Sequence, residues 1–413
     1  MRLFSAATLL FAACPVVWAQ NATLVPGLIA ALNAAGLTSL ANITQGLNTT
    51  TTGGAILTQL QSGRSFLIFA PSNEALAAIP SNVSSNPEIL NDIISYHIVQ
   101  GNFSGVVTNY PNVTLGRTLL NDSRFVSLEG DQAQALAWAN RSDGKFHILN
   151  QRLDPTIQNT TVFGNITVNV INHVLEIPGT FGAIVPQDSD ALSGFQGVSK
   201  SVSIDFFNAT SNSTANITLE VVLNNGLHGF TLFAANNTGL AAAQGALTGL
   251  GVNTPALDAL LENHLINGST VYSPNLVGGD RISAAGQTFS FSINSTGQYV
   301  TSGGTTALIV QPDVLLYNGV IHVIDRVLFN TDTNPSAASS AEVSALSSAS
   351  VAATAEATPT GPIGFSATAS LASATSTGTS SAAGARHAPP RTRHILQIAA
   401  TMVGVLAGIV VIV

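Results

Sequence analysis

The chain has 413 residues, enough for two or three domains, and only 8% are Asp, Glu, Lys or Arg, against about 25% in ordinary soluble proteins. A formal net charge of −8 argues against a nucleic-acid partner, which needs clustered cations to displace counterions. The hydrophobic share is an ordinary 46%, so Ser, Thr, Asn, Gly and Ala replace charge, and solubility must come from elsewhere.

The amino-terminal run MRLFSAATLLFAACPVVWAQ has a basic Arg2, an apolar stretch and the small-residue ending Val17-Trp18-Ala19. This predicts a secretory signal peptide over residues 1–19, cleaved after Ala19. The single cysteine, Cys14, falls inside it, so the rest of the chain has no disulfide and must be held by hydrophobic cores. Secretion gives meaning to the Asn-x-Ser/Thr sequons at Asn21, Asn42, Asn48, Asn82, Asn102, Asn112, Asn121, Asn140, Asn159, Asn165, Asn208, Asn212, Asn216, Asn236, Asn267 and Asn294. A glycan coat on a share of these would supply the missing surface hydration, with sequons in buried strands staying bare.

From residue 20 onward, PGLIAALNAAGLTSLA at 26–41 carries apolar residues at helical spacing. SFLIFAPSNEALAAIP at 65–80 reads as a strand turning into a helix. Pro87 opens a second helical run, which leads into Tyr96-His97 and an extended stretch. VNVINHVLEIP at 168–178, centred on His173, closes a first domain, 20–180. In a second domain, 181–330, VSIDFF, ITLEVVL and FSFSI have strand character, and TPALDALLENHL at 254–265 reads as a helix opened by Pro255. Between them GFTLFAANNTGLAAA at 229–243 repeats the strand-to-helix turn. YNGVIHVIDRVL at 317–328, centred on His322, repeats the ending. Segment order is the same in both halves, with His264 matching His97 and His322 matching His173, so one domain has been duplicated. The opening helical stretch of the second half, before about residue 229, is hard to recognise.

Residues 331–384, rich in Ser, Ala and Thr, lack the apolar surface to offset their ordering entropy and are expected to form an O-glycosylated or bare disordered stalk. Ser381-Ala382-Ala383-Gly384, the polar spacer ARHAPPRTRH and an uncharged tail over 395–413 have the order of a GPI-attachment signal. This makes 385–413 a removed propeptide, with attachment at Ser381 or Gly384. An ordinary membrane span is the rival; Arg386, Arg391 and Arg393 would then break the positive-inside rule.

The two halves resemble the fasciclin-like domain. Phe66, Phe69, Ala70, Pro71, Ser72, Asn73 and Ala75 match its first hallmark, Tyr96-His97 its second, and Gly319, His322, Val323, Ile324, Asp325, Val327 and Leu328 its third. The first copy departs at Asn172 and Glu176; the second departs at Ala235-Asn236 and at Asn263 before His264. The resemblance implies an α+β fold in each of two tandem domains: a β-sandwich-like wedge with packed helices. Mixed strands and helices without βαβ alternation agree with it.

No zinc-site spacing, nucleophile elbow or phosphate-binding loop is present, and no two carboxylates stand out as a general acid and base. A lone histidine in an apolar run is ordinarily a packed side chain, and the resemblance assigns His173, His264 and His322 to the framework. The resemblance also implies a contact role for Asp313-Val314, against the alternative of a turn-capping Asp; Tyr96 and His97 are further contact candidates, and Asn91 to Ile94 carries a similar signal. The expectation is therefore a non-enzymatic protein without cofactor, lipid-anchored on the outer face of the plasma membrane or in the cell wall. Its expected partners are cell-surface or matrix proteins, or cell-wall polysaccharides. A wall-organising polysaccharide binder is the alternative, with Trp138 its one aromatic candidate of that type.

Overall fold

A computed structural model describes residues 16–208, 213–251, 254–356 and 359–364. The segment before Val16 with Cys14, the side chains of Asn21, Asn208 and Asn212, the attachment candidates Ser381 and Gly384, and the apolar tail lie outside the described residues.

Domain 1 opens with helices α1 (Val16–Ala34), α2 (Thr38–Gly46) and α3 (Thr51–Leu60). The predicted cleavage after Ala19 falls in the first turn of α1. Gly36, at φ +78°, makes the break between α1 and α2, so one apolar-periodic run becomes two helices. Strand β1 (Phe66–Pro71) follows, then the short helices α4 (Asn73–Ala77) and α5 (Ser81–Ser84), then α6 (Pro87–Tyr96). The Ser72 hydroxyl accepts from the Ala75 N–H, and Asn86 Oδ1 accepts from the Ile89 N–H ahead of Pro87, so both helix starts are side-chain capped. Six strands complete the domain: β2 (Ile98–Gln100), β3 (Thr114–Arg117), β4 (Ala135–Asn140), β5 (Phe146–Ile148), β6 (Ile157–Phe163) and β7 (Ile166–Ile171). They form a sheet ordered β2-β1-β7-β6 and a smaller sheet β3-β4-β5.

Domain 2 runs through α7 (Phe181–Ile184), α8 (Ser189–Ser201), β8 (Ser203–Asn208), β9 (Ser213–Thr218), α9 (Leu219–Val221), β10 (Phe230–Ala235), α10 (Asn237–Leu250), α11 (Pro255–Glu262) and β11 (Leu265–Asn267). It ends with β12 (Arg281–Ile282), β13 (Thr288–Asn294), β14 (Gly297–Ser302), β15 (Thr305–Leu316) and β16 (Gly319–Ile324). The sheet order β11-β10-β16-β15 repeats β2-β1-β7-β6, and β14, β13 and β12 extend it. In each domain the central pair, β1 with β7 and β10 with β16, is parallel, whereas the flanking pairs are antiparallel. All six residues of β1 and all six of β10 are buried, as expected of strands covered on both faces.

Three sequence expectations need amending. First, the opening helices of domain 2, not evident in the sequence, are α7 and α8, which bury Phe181, Leu192 and Phe195. Second, ITLEVVL is not one strand: β9 stops at Thr218, and Leu219, Val222 and Leu223 turn one helical face into the core. Their three- and four-residue spacing suits a helix better than a period of two. Third, part of the expected stalk is ordered. Helix α12 (Pro335–Glu356) starts where the Asn334 N–H bonds the Ala285 carbonyl and Asn334 Oδ1 caps the Ala337 N–H. It then packs Ala345 beside Gly268 and buries Ala349. A low-charge helix with small residues can approach a backbone closely, so it orders with little apolar area.

Candidate functional site

The histidines settle first. His97 ends α6: its Nδ1–H donates to the Ile93 carbonyl at 2.7 Å, and its Nε2 accepts the Leu175 N–H at 2.9 Å. His264 does the same at the end of α11, bonding Leu260 O at 2.8 Å and the Leu328 N–H at 3.0 Å. Each ring therefore pins a helix end to the segment that closes its own domain. Burial drives both well below the ordinary imidazole range, to about 4, so both rings are neutral. His322 is fully buried on β16; Nε2–H donates to Val271 O at 2.9 Å, Nδ1 accepts the Asp313 N–H at 3.3 Å, and the ring stacks on Phe233. Desolvation lowers its pKa as well, against the pull of Asp313.

The strand register corrects the place given to His173. Phe69 pairs with Asn169 in domain 1 as Phe233 pairs with His322 in domain 2. Asn169, buried and accepting from the Thr160 hydroxyl at 2.8 Å, thus stands where His322 stands, and His173 is half-buried four residues beyond. Framework status passes from His173 to Asn169. Asn263, in the place of Tyr96, is compensated: its Nδ2 donates to the Asn330 and Asp332 carbonyls, and its Oδ1 accepts from the Ser283 hydroxyl.

The four contact candidates are not on the surface. Exposure is 0% for Tyr96, 1% for His97, 0% for Asp313 and 3% for Val314, so none can meet a partner directly. Asp313 sits at φ +58° in the irregular middle of β15, which turns its carboxylate inward. There Oδ1 accepts the Ser273 N–H at 2.8 Å and Oδ2 the Ser273 hydroxyl, while burial raises its pKa. Trp138 is 4% exposed, held edge-on by Phe69 and Phe103, and so offers no open aromatic platform.

A seam joins the two domains, built around the outer face of β4. Along β4, Ala135, Ala137 and Ala139 point one way while Leu136 and Trp138 point into the domain 1 core, the alternation expected of a strand. The alanine face, with Val113, Leu115 and Leu149, packs against Tyr272, Leu315 and Val320 of domain 2. Polar ties surround it. Arg117, 5% exposed, donates Nη1 to the Tyr272 hydroxyl at 3.2 Å and lies over that ring. Glu129 accepts from the Thr270 N–H at 2.8 Å and hydroxyl at 2.6 Å, with a pKa raised by burial. Gln134 donates to Leu316 O, Asn150 to Asp313 O, and the Ser127 N–H to Tyr317 O. Gly229 leaves room for the Glu129 side chain, which a Cβ there would strike. A buried charge or amide left unpaired costs about 1–3 kcal/mol or more, so these ties hold only while the domains stay docked.

Beyond α12, residues 359–364 form a strap across this seam. The Asn102 N–H donates to Thr360 O at 2.9 Å, the Ile363 N–H to Leu115 O at 2.8 Å, and Ile363 packs on the seam's apolar cluster. Gly101 at φ +114° touches the Gly361 backbone, and Gly364 lies against Pro274, so the strap meets both domains.

Of the sequons, Asn42, Asn48, Asn82, Asn102, Asn112, Asn121, Asn159, Asn216 and Asn294 are exposed. Asn140, Asn165, Asn236 and Asn267 are half-buried. Three of these use the nitrogen that a glycan would take: Asn140 donates to Asn109, Asn165 to Arg64 O and Asn267 to Glu342.

The Fasciclin domain model matches this sequence twice, over residues 35–178 and 205–330. The chain belongs to the fasciclin family. A curated relative, the fasciclin-like arabinogalactan protein of Arthroderma benhamiae, is 30% identical over 256 residues, 60% of this chain. The chain spans 53% of that relative's length. Among solved structures the fasciclin pair is similar to the FAS1 domain pair from the insect cell adhesion molecule Fasciclin I, at 20% identity and a TM-score of 0.32, covering 70% of this chain and 96% of that one. No helix among the described residues is long and apolar enough to cross a membrane.

Proposed function

We propose that this fasciclin protein is a secreted, lipid-anchored cell-surface or cell-wall glycoprotein that mediates adhesion, and that its two domains act as one docked unit. The reading rests on one observation above all. His97, His264 and His322, all deeply buried, have both ring nitrogens bonded within the fold, which makes them scaffold and leaves the outer faces and glycans to meet partners. Partners are surface or matrix proteins, or wall polysaccharides, reached through exposed loops and strand edges rather than through Tyr96-His97 or Asp313-Val314.

Cells displaying a variant that keeps the signal and tail but lacks residues 20–330 should lose most of the adherence that the full chain confers in a wash-off assay. Adherence equal to that of the full chain would refute the reading. The anchor is tested apart from adhesion: phosphatidylinositol-specific phospholipase should release the protein from intact cells.

A further inference from the structure

At the margin of the seam, domain 1 has an open cleft of ≈ 420 Å³, floored by Ile56 and Leu119 and bounded on one side by Pro359 of the strap. The volume is within the roughly 300–1,000 Å³ usual for small-molecule sites. Its walls are hydroxyls, amides and carboxylates, among them Thr51, Gln59, Asn121 and Gln132, with no aromatic ring. At the back lies Asp92, whose side chain is 1% exposed. Its Oδ2 accepts from Arg124 Nη2 at 2.7 Å, and its Oδ1 has no hydrogen-bond partner among the described residues. A buried carboxylate oxygen without a donor is uncommon and calls for one. Arg124, on a side chain that is 52% exposed, is also held by Asp122.

Charge does not favour an anion: Asp92, Asp122 and Asp131 line the cleft with Arg117, and Arg124, which is not among the lining residues, is already paired with Asp92 and Asp122. An apolar group would leave the polar walls unpaired, and a phosphate would meet three carboxylates. A polyol fits both sets of groups: hydroxyl donors for Asp92 and Asp122, acceptors for the amides, and a C–H face for Ile56 and Leu119.

We propose that the cleft lined by Asp92, Gln59, Thr51 and Gln132 is a carbohydrate-binding site that takes one neutral sugar unit. Its source is either an external glycan or the chain's own glycan on Asn121, a sequon on the rim. The proposal stands independently of the adhesion reading, since it concerns the isolated protein.

The test is ligand-observed saturation-transfer NMR on the full glycosylated chain with laminarihexaose, chitohexaose and an α-mannohexaose, before and after enzymatic trimming of N-glycans. At least one oligosaccharide should bind, and Asp92→Asn and Gln59→Ala should each weaken it about tenfold, the loss of one charged or neutral hydrogen bond. Val162→Ser, on an exposed part of β6, should leave it unchanged. Binding that rises after trimming or in Asn121→Gln assigns the cleft to the chain's own glycan; binding unaffected by either assigns it to an external one. No binding by any of the three in any state overturns the proposal, as does binding that neither Asp92→Asn nor Gln59→Ala weakens. Circular dichroism on both variants separates loss of binding from loss of fold.

Discussion

At His97 and His264 the fold uses an imidazole as a neutral two-sided connector, donating to a helix carbonyl and accepting from the closing segment. That use carries a pH signature. Both folded-state values fall to about 4 from an ordinary 6.5, so the neutral rings contribute stability that is fully present above pH 6.5 and is lost as pH falls through 4. The loss is on the order of 3 kcal/mol for each ring. His322 shifts in the same direction. Asp92 works the other way: burial raises it to about 6, so its ionisation opposes folding above that pH and the opposition fades as pH falls towards 3.8. Urea midpoints should therefore drop between pH 6.5 and 4, more steeply in Asp92→Asn. His97→Gln with His264→Gln should lower the midpoint at pH 7 and flatten the profile; a parent midpoint that does not change over that window contradicts these protonation states. The buried state of His264 and His322 was legible in the sequence, whereas the contact role expected of His97 fails because its ring is buried too. The contact role given to Asp313 was not separable from a turn role by sequence, because the backbone irregularity that turns its carboxylate inward leaves no mark in residue type.

Among the elements, the strap and α12 show where composition misleads. Few charges and many Ser, Ala and Thr predict a chain too poor in apolar area to order, yet two backbone hydrogen bonds, one isoleucine and three glycines at close approach suffice for residues 359–364. Ile363→Asp should unseat the strap, and amide exchange at Asn102, which loses the Thr360 carbonyl, and at position 363, which leaves the Leu115 carbonyl, should speed up at least about tenfold. Unchanged protection at both amides would show that Ile363 does not hold the segment. The same scale explains the misplaced terminal histidine of domain 1. Matching letters align His173 with His322, but strand pairing fixes register by which face is buried, and that brings Asn169 to the place. The paired strand-to-helix turns are closed by the Ser72 and Asn236 side chains, which accept from the Ala75 and Gly239 N–H groups, and Asn86 and Thr254 cap α6 and α11 ahead of Pro87 and Pro255 in the same way.

On the scale of the molecule, duplication and α+β class follow from segment order, whereas the docking of one domain on the other does not. Its apolar side is made of alternate alanines on β4, which in sequence resemble any small-residue strand. Its polar side pairs residues more than a hundred positions apart, such as Glu129 with Thr270. A large side chain in the alanine face should therefore act on the pair rather than on either core. Ala137→Glu is expected to separate the domains and split a single urea transition into two, whereas one transition with an unchanged midpoint would mean that the alanines carry none of the docking. Whether the fasciclin pair is one rigid unit is read from electron–electron resonance distances between nitroxides. Labels at Val162→Cys and Ile293→Cys, both exposed, in a Cys14→Ser background place one probe on each domain. A single narrow distance distribution is the predicted result; a broad or multiple one in the otherwise unaltered chain would contradict it.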